Sequence, residues 1–165
     1  MDSLQQLYQQ AILDHSREKH GSGVVPPNVV SSHQVNPTCG DEVTLTAQLG
    51  EDERINSITW DGDGCSISQA SLSMMTDLVQ GKTVSETMKL WDEFEEMMHS
   101  RGQVLPDELL EDLEDAAALH GTSQFPNRVK CALLGWMALR DVIAQQESKQ
   151  PQTETAVAGE RSNGE

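Results

Sequence analysis

Val43-Thr44-Leu45-Thr46-Ala47-Gln48-Leu49, then the turn Gly50-Glu51-Asp52, then Ile55-Asn56-Ser57-Ile58-Thr59-Trp60, is the stretch that decides the fold. Val43, Leu45, Ala47 and Leu49 alternate with polar residues, the period of two that buries one side of a strand. Ile55, Ile58 and Trp60 form a second β-like run across the turn. The pattern predicts a small antiparallel sheet, with residues 29–35 as its third strand.

Outward from this sheet the texture is helical. Before it, Leu4, Leu7, Tyr8, Ala11 and Ile12 fall at helical spacing over 3–19, and Gly21 and Gly23 end the run. After it, Ile67, Ala70, Met74 and Leu78 line a helix that Gly81 stops. Thr83 or Ser85 can cap the next, built on Val84, Met88, Trp91, Phe94 and Met98. Pro106 opens a further helix through Leu109, Leu113 and Ala117 to Gly121, and a last one starts near Pro126. The methionine pairs 74–75 and 97–98 and the three tryptophans sit at core-facing positions and read as packing. From about Glu147 the chain is Gln, Ser, Thr, Pro, Gly and Glu without periodicity, so the reading is one domain over 1–146 and a disordered acidic tail over 147–165.

The formal net charge of −16 opposes phosphate backbones and argues against nucleic-acid binding. Residues 92–115 hold ten acids against Arg101 alone, either a surface that steers a basic partner or a solvated helical face. No basic region precedes an apolar run at the N-terminus, and no stretch approaches the roughly 18 apolar residues of a membrane span. A cytosolic protein with reduced thiols is expected.

The predicted hairpin is bracketed by cysteines. Asn36-Pro37-Thr38-Cys39-Gly40-Asp41 precedes it, Gly62-Asp63-Gly64-Cys65-Ser66 follows it, and Cys131 lies in the first turns of the last helix. An odd number of cysteines excludes a complete disulfide set, and Asp41 offers a fourth donor for a tetrahedral ion. Cys65 opens a helix, where unpaired N–H groups and the macrodipole favour a thiolate. Three thiolates and a carboxylate on a divalent ion leave about −2, so cationic neighbours are expected. Arg128, three residues before Cys131, is the candidate, or else a surface arginine paired with an acid. No Cys-x-x-Cys pair is present, and buried core thiols are the competing reading, although Gly-flanked polar loops are unusual places for them. The five histidines read as solvated or as helix C-terminal caps.

Together, Asn36-Pro37-x-Cys39-Gly40-Asp41, Gly62-x-Gly64-Cys65-x-Ile67-Ser68-x-Ala70-Ser71 and Arg128-x-x-Cys131-Ala132-x-Leu134-x-Trp136 resemble the three signatures of the IscU/NifU-like iron–sulfur assembly proteins. Leu7-Tyr8 and Ile12-Leu13-Asp14-His15 extend the likeness, which covers residues 3 to about 145. Lys130, where scaffold-type relatives carry His, and the long interval from Cys65 to Cys131 resemble the SufU branch, with an acidic helical insertion at about 92–120. The first helix lacks the Pro-Arg that many relatives show after it, and the tail has no family counterpart.

The resemblance implies an α+β fold, a small three-stranded antiparallel sheet packed by five or six helices. It implies zinc held by Cys39, Asp41, Cys65 and Cys131, and a sulfurtransferase that takes persulfide sulfur from a SufS-type cysteine desulfurase, stimulates it, and serves downstream SUF assembly proteins. Within that picture Cys39 is the persulfide acceptor, freed when a desulfurase histidine replaces it on zinc, while Cys65 and Cys131 are anchors and Arg128 is auxiliary. The alternatives are a non-enzymatic scaffold holding a [2Fe–2S] cluster on the same cysteines and a purely structural zinc domain.

Overall fold

A computed structural model describes residues 3–148. In chain order it contains α1 (Ser3–Glu18), β1 (Ser32–Asn36), β2 (Asp41–Leu49), β3 (Ile55–Asp63), α2 (Ser66–Val79), α3 (Val84–Met98), α4 (Asp107–Leu113), a 3-10 segment (Glu114–Gln124) and α5 (Pro126–Ser148). The sheet is antiparallel in the order β1-β2-β3, so the fold is the α+β arrangement expected. No helix among the described residues is long and apolar enough to cross a membrane.

The alternation in β2 becomes its geometry. Val43, Leu45 and Ala47 point inward and are buried, and Leu45 and Ala47 stand opposite the equally buried Trp60 and Ile58 of β3. The same period places Asp41, first residue of β2, in the inward row, where it has no solvent exposure. A carboxylate at the end of an apolar row is a departure that a soluble strand does not need for folding.

α5 lies across β1 and β2, and α2 packs beside it with α1 on its outer side. The two helices approach closely because residue 135 is glycine: a β-carbon there would collide with the Leu72 side chain. Phe94 stacks on Trp136 at 4.5 Å, and the Trp91 indole N–H donates to the Trp136 carbonyl at 2.8 Å, so α3 is fixed to α5. The tryptophans and both methionine pairs are buried in one core, as their spacing predicts.

Three local expectations change. The third strand is Ser32–Asn36 instead of 29–35. Its inward residues are Ser32 and Asn36, both polar, while Val35 faces solvent, so apolar alternation gave no register here; the tight connection that pairs Asn36 with Asp41 set it. The helix expected from Pro106 to Gly121 breaks at Glu114 (φ 50°) and continues as 3-10 turns. Ala116, Ala117, Ala118 and Leu119 are all buried, a run that a one-faced α-helix does not present. The boundary after residue 146 falls inside α5, which runs through Ser148; the rest of the expected tail, 149–165, lies outside the described residues. At α3 the cap is Thr83: its Oγ1 accepts from the Glu86 N–H and the Glu86 carboxylate accepts from the Thr83 N–H.

Candidate metal centre

At one end of the sheet, the β1–β2 turn, the β3–α2 connection and the second turn of α5 converge. The turn closes on the Asn36 carbonyl, which accepts from the N–H groups of Cys39 (3.3 Å) and Gly40 (2.9 Å). Gly40 takes the left-handed conformation (φ 75°) that lets the chain reverse between Cys39 and Asp41. Cys39 is thereby presented to solvent, while Asp41 turns inward two residues later.

Asp41 Oδ1 accepts the backbone N–H of Cys65 at 3.0 Å. The connection can lie this close only because residue 64 is glycine, since a β-carbon there would meet the Asp41 carboxylate and Ser68 Oγ. Cys65 is the N-cap of α2; its carbonyl accepts from the Gln69 N–H and Ser68 Oγ, and its side chain is exposed. Cys131 is buried at 3% exposure, with its Sγ 3.5 Å from Cys39 Sγ and 3.9 Å from Asn36 Nδ2.

The sequence-predicted ligands therefore assemble in two tiers. Cys39, Asp41 and Cys131 bring their donor atoms within 4.8 Å of one another. Cys65 stands outside that group by the same measure and is tied to it through its N–H on Asp41. Burial first, then its neighbours Asp41, Cys39 and Cys65, push the Cys131 thiol far up. That thiol holds its proton until a cation arrives to replace it.

A metal fits this set on the state of Asp41. Its Oδ2 is buried and has no hydrogen-bond partner among the described residues, whereas buried carboxylate oxygens are ordinarily satisfied. Sulfur donors with one carboxylate oxygen suit zinc, which takes thiolate and oxygen in tetrahedral sites.

Arg128 goes elsewhere. Its guanidinium lies 4.6 Å over the Phe125 ring, beside a groove lined by Tyr8, Ile12, Leu13 and Ile67, and no hydrogen bond or ion pair of the described residues joins it to the cysteines. Lys130 is exposed. Among the described residues, no hydrogen bond or ion pair joins Arg128 or Lys130 to the sulfurs.

His15 corrects the reading of the histidines as solvated or capping: it is the one buried residue of α1. Its Nδ1 meets Ser73 Oγ at 2.8 Å and its Nε2 meets Asp115 at 2.9 Å, tying α1 to α2 and to the 3-10 segment. Nearby, His20 lies between Asp77 (2.7 Å) and Glu18 (2.9 Å). Asn36 was also missed as a side chain near the cysteines; its signal was a polar residue at an inward position of a short strand, which is legible only once the register is known.

Residues 7–152 match the family model described as the NifU-like N-terminal domain. Over 145 residues the chain is 40% identical to the zinc-dependent sulfurtransferase SufU of Bacillus subtilis, covering 88% of this chain and 95% of that protein. It is also 40% identical over 157 residues to the iron–sulfur cluster assembly scaffold protein IscU of Streptococcus pyogenes, covering 95% of each. A crystal structure described as a scaffold protein for the SUF system, from Fervidobacterium islandicum, superposes with a TM-score of 0.66 at 31% identity, covering 84% of this chain and 97% of that one.

Proposed function

This chain belongs to the NifU-like N-terminal domain family, and on that premise we propose that it is a zinc-dependent sulfurtransferase of iron–sulfur cluster biogenesis. It accepts persulfide sulfur from a SufS-type cysteine desulfurase in the cytoplasm, stimulates that enzyme, and passes the sulfur to downstream SUF assembly proteins. The observation that carries the reading is the pairing of an exposed thiol, Cys39, with a buried partner set: Cys131 at 3.5 Å and Asp41 with a free Oδ2.

Cys39, Asp41, Cys65 and Cys131 are the proposed ligands; Cys65 completes the set through rotation of its exposed side chain about χ1. Bound zinc supplies a positive charge that keeps thiolates ionised without redox chemistry of its own. The turn around Gly40 holds Cys39 where a partner's cysteine persulfide can reach it. The Cys39 thiolate attacks the outer sulfur of that persulfide. A new sulfur–sulfur bond forms on Cys39, the bond to the partner's cysteine breaks, and that cysteine leaves as thiolate. The exchange is redox-neutral and needs no co-reactant.

The names of the Streptococcus and Fervidobacterium relatives favour a second reading, a scaffold holding a [2Fe–2S] cluster on the same cysteines. Lys130 weighs against it, because an ammonium group offers no lone pair to iron. Aerobically purified protein should be colourless with about one zinc per chain, as a four-coordinate site takes. It should also raise desulfurase turnover, an effect that Cys39→Ala removes. Brown protein containing iron and sulfide would establish the scaffold reading instead, and stimulation surviving Cys39→Ala would leave only a structural metal site.

A further inference from the structure

Asn36 holds both ends of the cysteine site at once. Its backbone carbonyl receives the N–H groups of Cys39 and Gly40, closing the turn that carries the exposed thiol. Its side chain, on a residue only 6% exposed, directs Nδ2 at Cys131 Sγ, 3.9 Å away on α5. In the sheet register Asn36 stands opposite Asp41, so the amide and the carboxylate share the inward face at the same end of the strands. Asp41 Oδ1 is meanwhile occupied by the Cys65 N–H.

The surroundings of Cys131 make this amide conspicuous. Asp41, Cys39 and Cys65 all add negative charge when ionised, and Arg128 lies on Phe125 instead of on the sulfur. Among the described residues, the Asn36 amide is the neutral side-chain donor that meets Cys131. An N–H aimed at a thiolate withdraws electron density from sulfur without adding a net charge that must be desolvated.

We infer that Asn36 is a positioning residue of the site: its amide orients the Cys131 sulfur as a fixed ligand and lowers its electron donation, while its carbonyl keeps the Cys39 turn closed above it. The inference rests on the metal reading proposed above. It assigns to Asn36 the coupling between the ligand that stays and the thiol that leaves.

Cobalt(II) substituted for zinc reports the sulfur directly, through its thiolate-to-metal charge-transfer band. Asn36→Asp keeps the shape and the turn carbonyl but loses the donor, Asn36→Leu removes the polar group, and Asn36→Gln retains an amide. Loss of the donor should move the band to longer wavelength and speed zinc transfer to a chelator about 10-fold, the low end for residues supporting a metal ligand. Asn36→Gln should lie nearer wild type, and Asn36→Asp still reads the donor if Asn36→Leu does not fold. A lowered melting temperature with the band unmoved and release within about 2-fold of wild type, well short of that expectation, would mean that Asn36 only closes a turn. Failure of wild-type protein to bind cobalt or zinc would overturn the metal reading and this inference together, whereas normal binding with indistinguishable variants overturns this inference alone.

Discussion

Two clusters of ligand-type side chains flank α2, and they differ in whether their polar atoms are already spoken for. Around His15, Ser73 Oγ accepts the His20 N–H and pairs with His15 Nδ1 at 2.8 Å, while His15 Nε2 pairs with Asp115 at 2.9 Å. His20 in turn has a carboxylate on each ring nitrogen. Around Cys131 the accounting does not close, because Asp41 Oδ2 is buried without a partner. His15, His20 and Asp77 are as tightly gathered as Cys39, Asp41 and Cys131, so proximity alone does not separate a clasp from a ligand site; an unfilled valence does.

The largest expected effect breaks the cysteine side of this comparison. Asp41→Ala should lower zinc affinity by roughly 100-fold or more, beyond the range seen for residues that merely support a ligand, and Cys131→Ala should lose zinc and stability together. Cys39→Ala, on an exposed turn, should keep most of the fold while losing sulfur acceptance. Zinc content of Asp41→Ala equal to wild type would remove Asp41 from the ligand set, and equal unfolding of Cys39→Ala and Cys131→Ala would remove the distinction between mobile and anchoring thiols.

His15→Ala tests the other side. Deleting a buried side chain with two hydrogen bonds should cost about 2–4 kcal/mol in urea unfolding, with zinc stoichiometry unchanged. Loss of zinc in this variant, at a temperature where it remains folded, would merge the two clusters into one functional unit.

A third polar pair sharpens the argument: Glu93 Oε1 and Asp112 Oδ2 are also buried without a hydrogen-bond partner, yet neither belongs to a cluster of three ligand-type side chains among the described residues. Burial, and then hydrogen bonding and charge from Asp112, push Glu93 from its ordinary 4.5 up to about 7. Because the folded value is the higher one, the contribution to stability is complete below about 4.5 and is lost as pH rises through about 7. Glu93→Gln, uncharged at every pH, should therefore flatten the decline over that window and stabilise the protein at pH 8 by on the order of 1 kcal/mol, a figure discounted for solvent screening. If Asp41 behaved likewise, Asp41→Asn would stabilise the protein; destabilisation with zinc loss separates a proton-satisfied acid from a ligand.

The smallest effect belongs to His20. The hydrogen bond from Asp77 comes first among the causes that raise it above 6.5, with partial desolvation opposing and Glu18 adding to the rise. Its contribution is present below pH 6.5 and fades as pH climbs through the raised value. At pH 6, His20→Gln should cost only a few tenths of a kcal/mol, as exposed ion pairs do, and nothing at pH 9. A loss that persists at pH 9 would assign the effect to packing.

Legibility in the chain followed the strength of local pattern. β2 and β3 were readable because Val43, Leu45, Ala47, Ile58 and Trp60 alternate with polar residues, and α2 and α3 because their apolar residues recur at helical spacing. β1 slid because its buried residues are Ser32 and Asn36. The 3-10 segment hid because short alanine side chains permit burial on every side, which no single period announces. His15 was misassigned because its partners are 58 and 100 residues away.

By itself, the sequence determined the β2–β3 hairpin, the long helices α1, α2, α3 and α5, and which residues carry soft-metal donor chemistry, since hydrophobic period and donor chemistry are properties of the residues. Only the tertiary structure decided which of those donors meet. The two-residue period of β2 carried Asp41 to the inward face, Gly64 let the Cys65 amide settle on it, and α5 brought Cys131 within 3.5 Å of Cys39, 92 positions away. It also sent Arg128 to Phe125 and brought Asn36 to the sulfur instead, because side-chain partners follow from how elements pack and not from how near they lie along the chain.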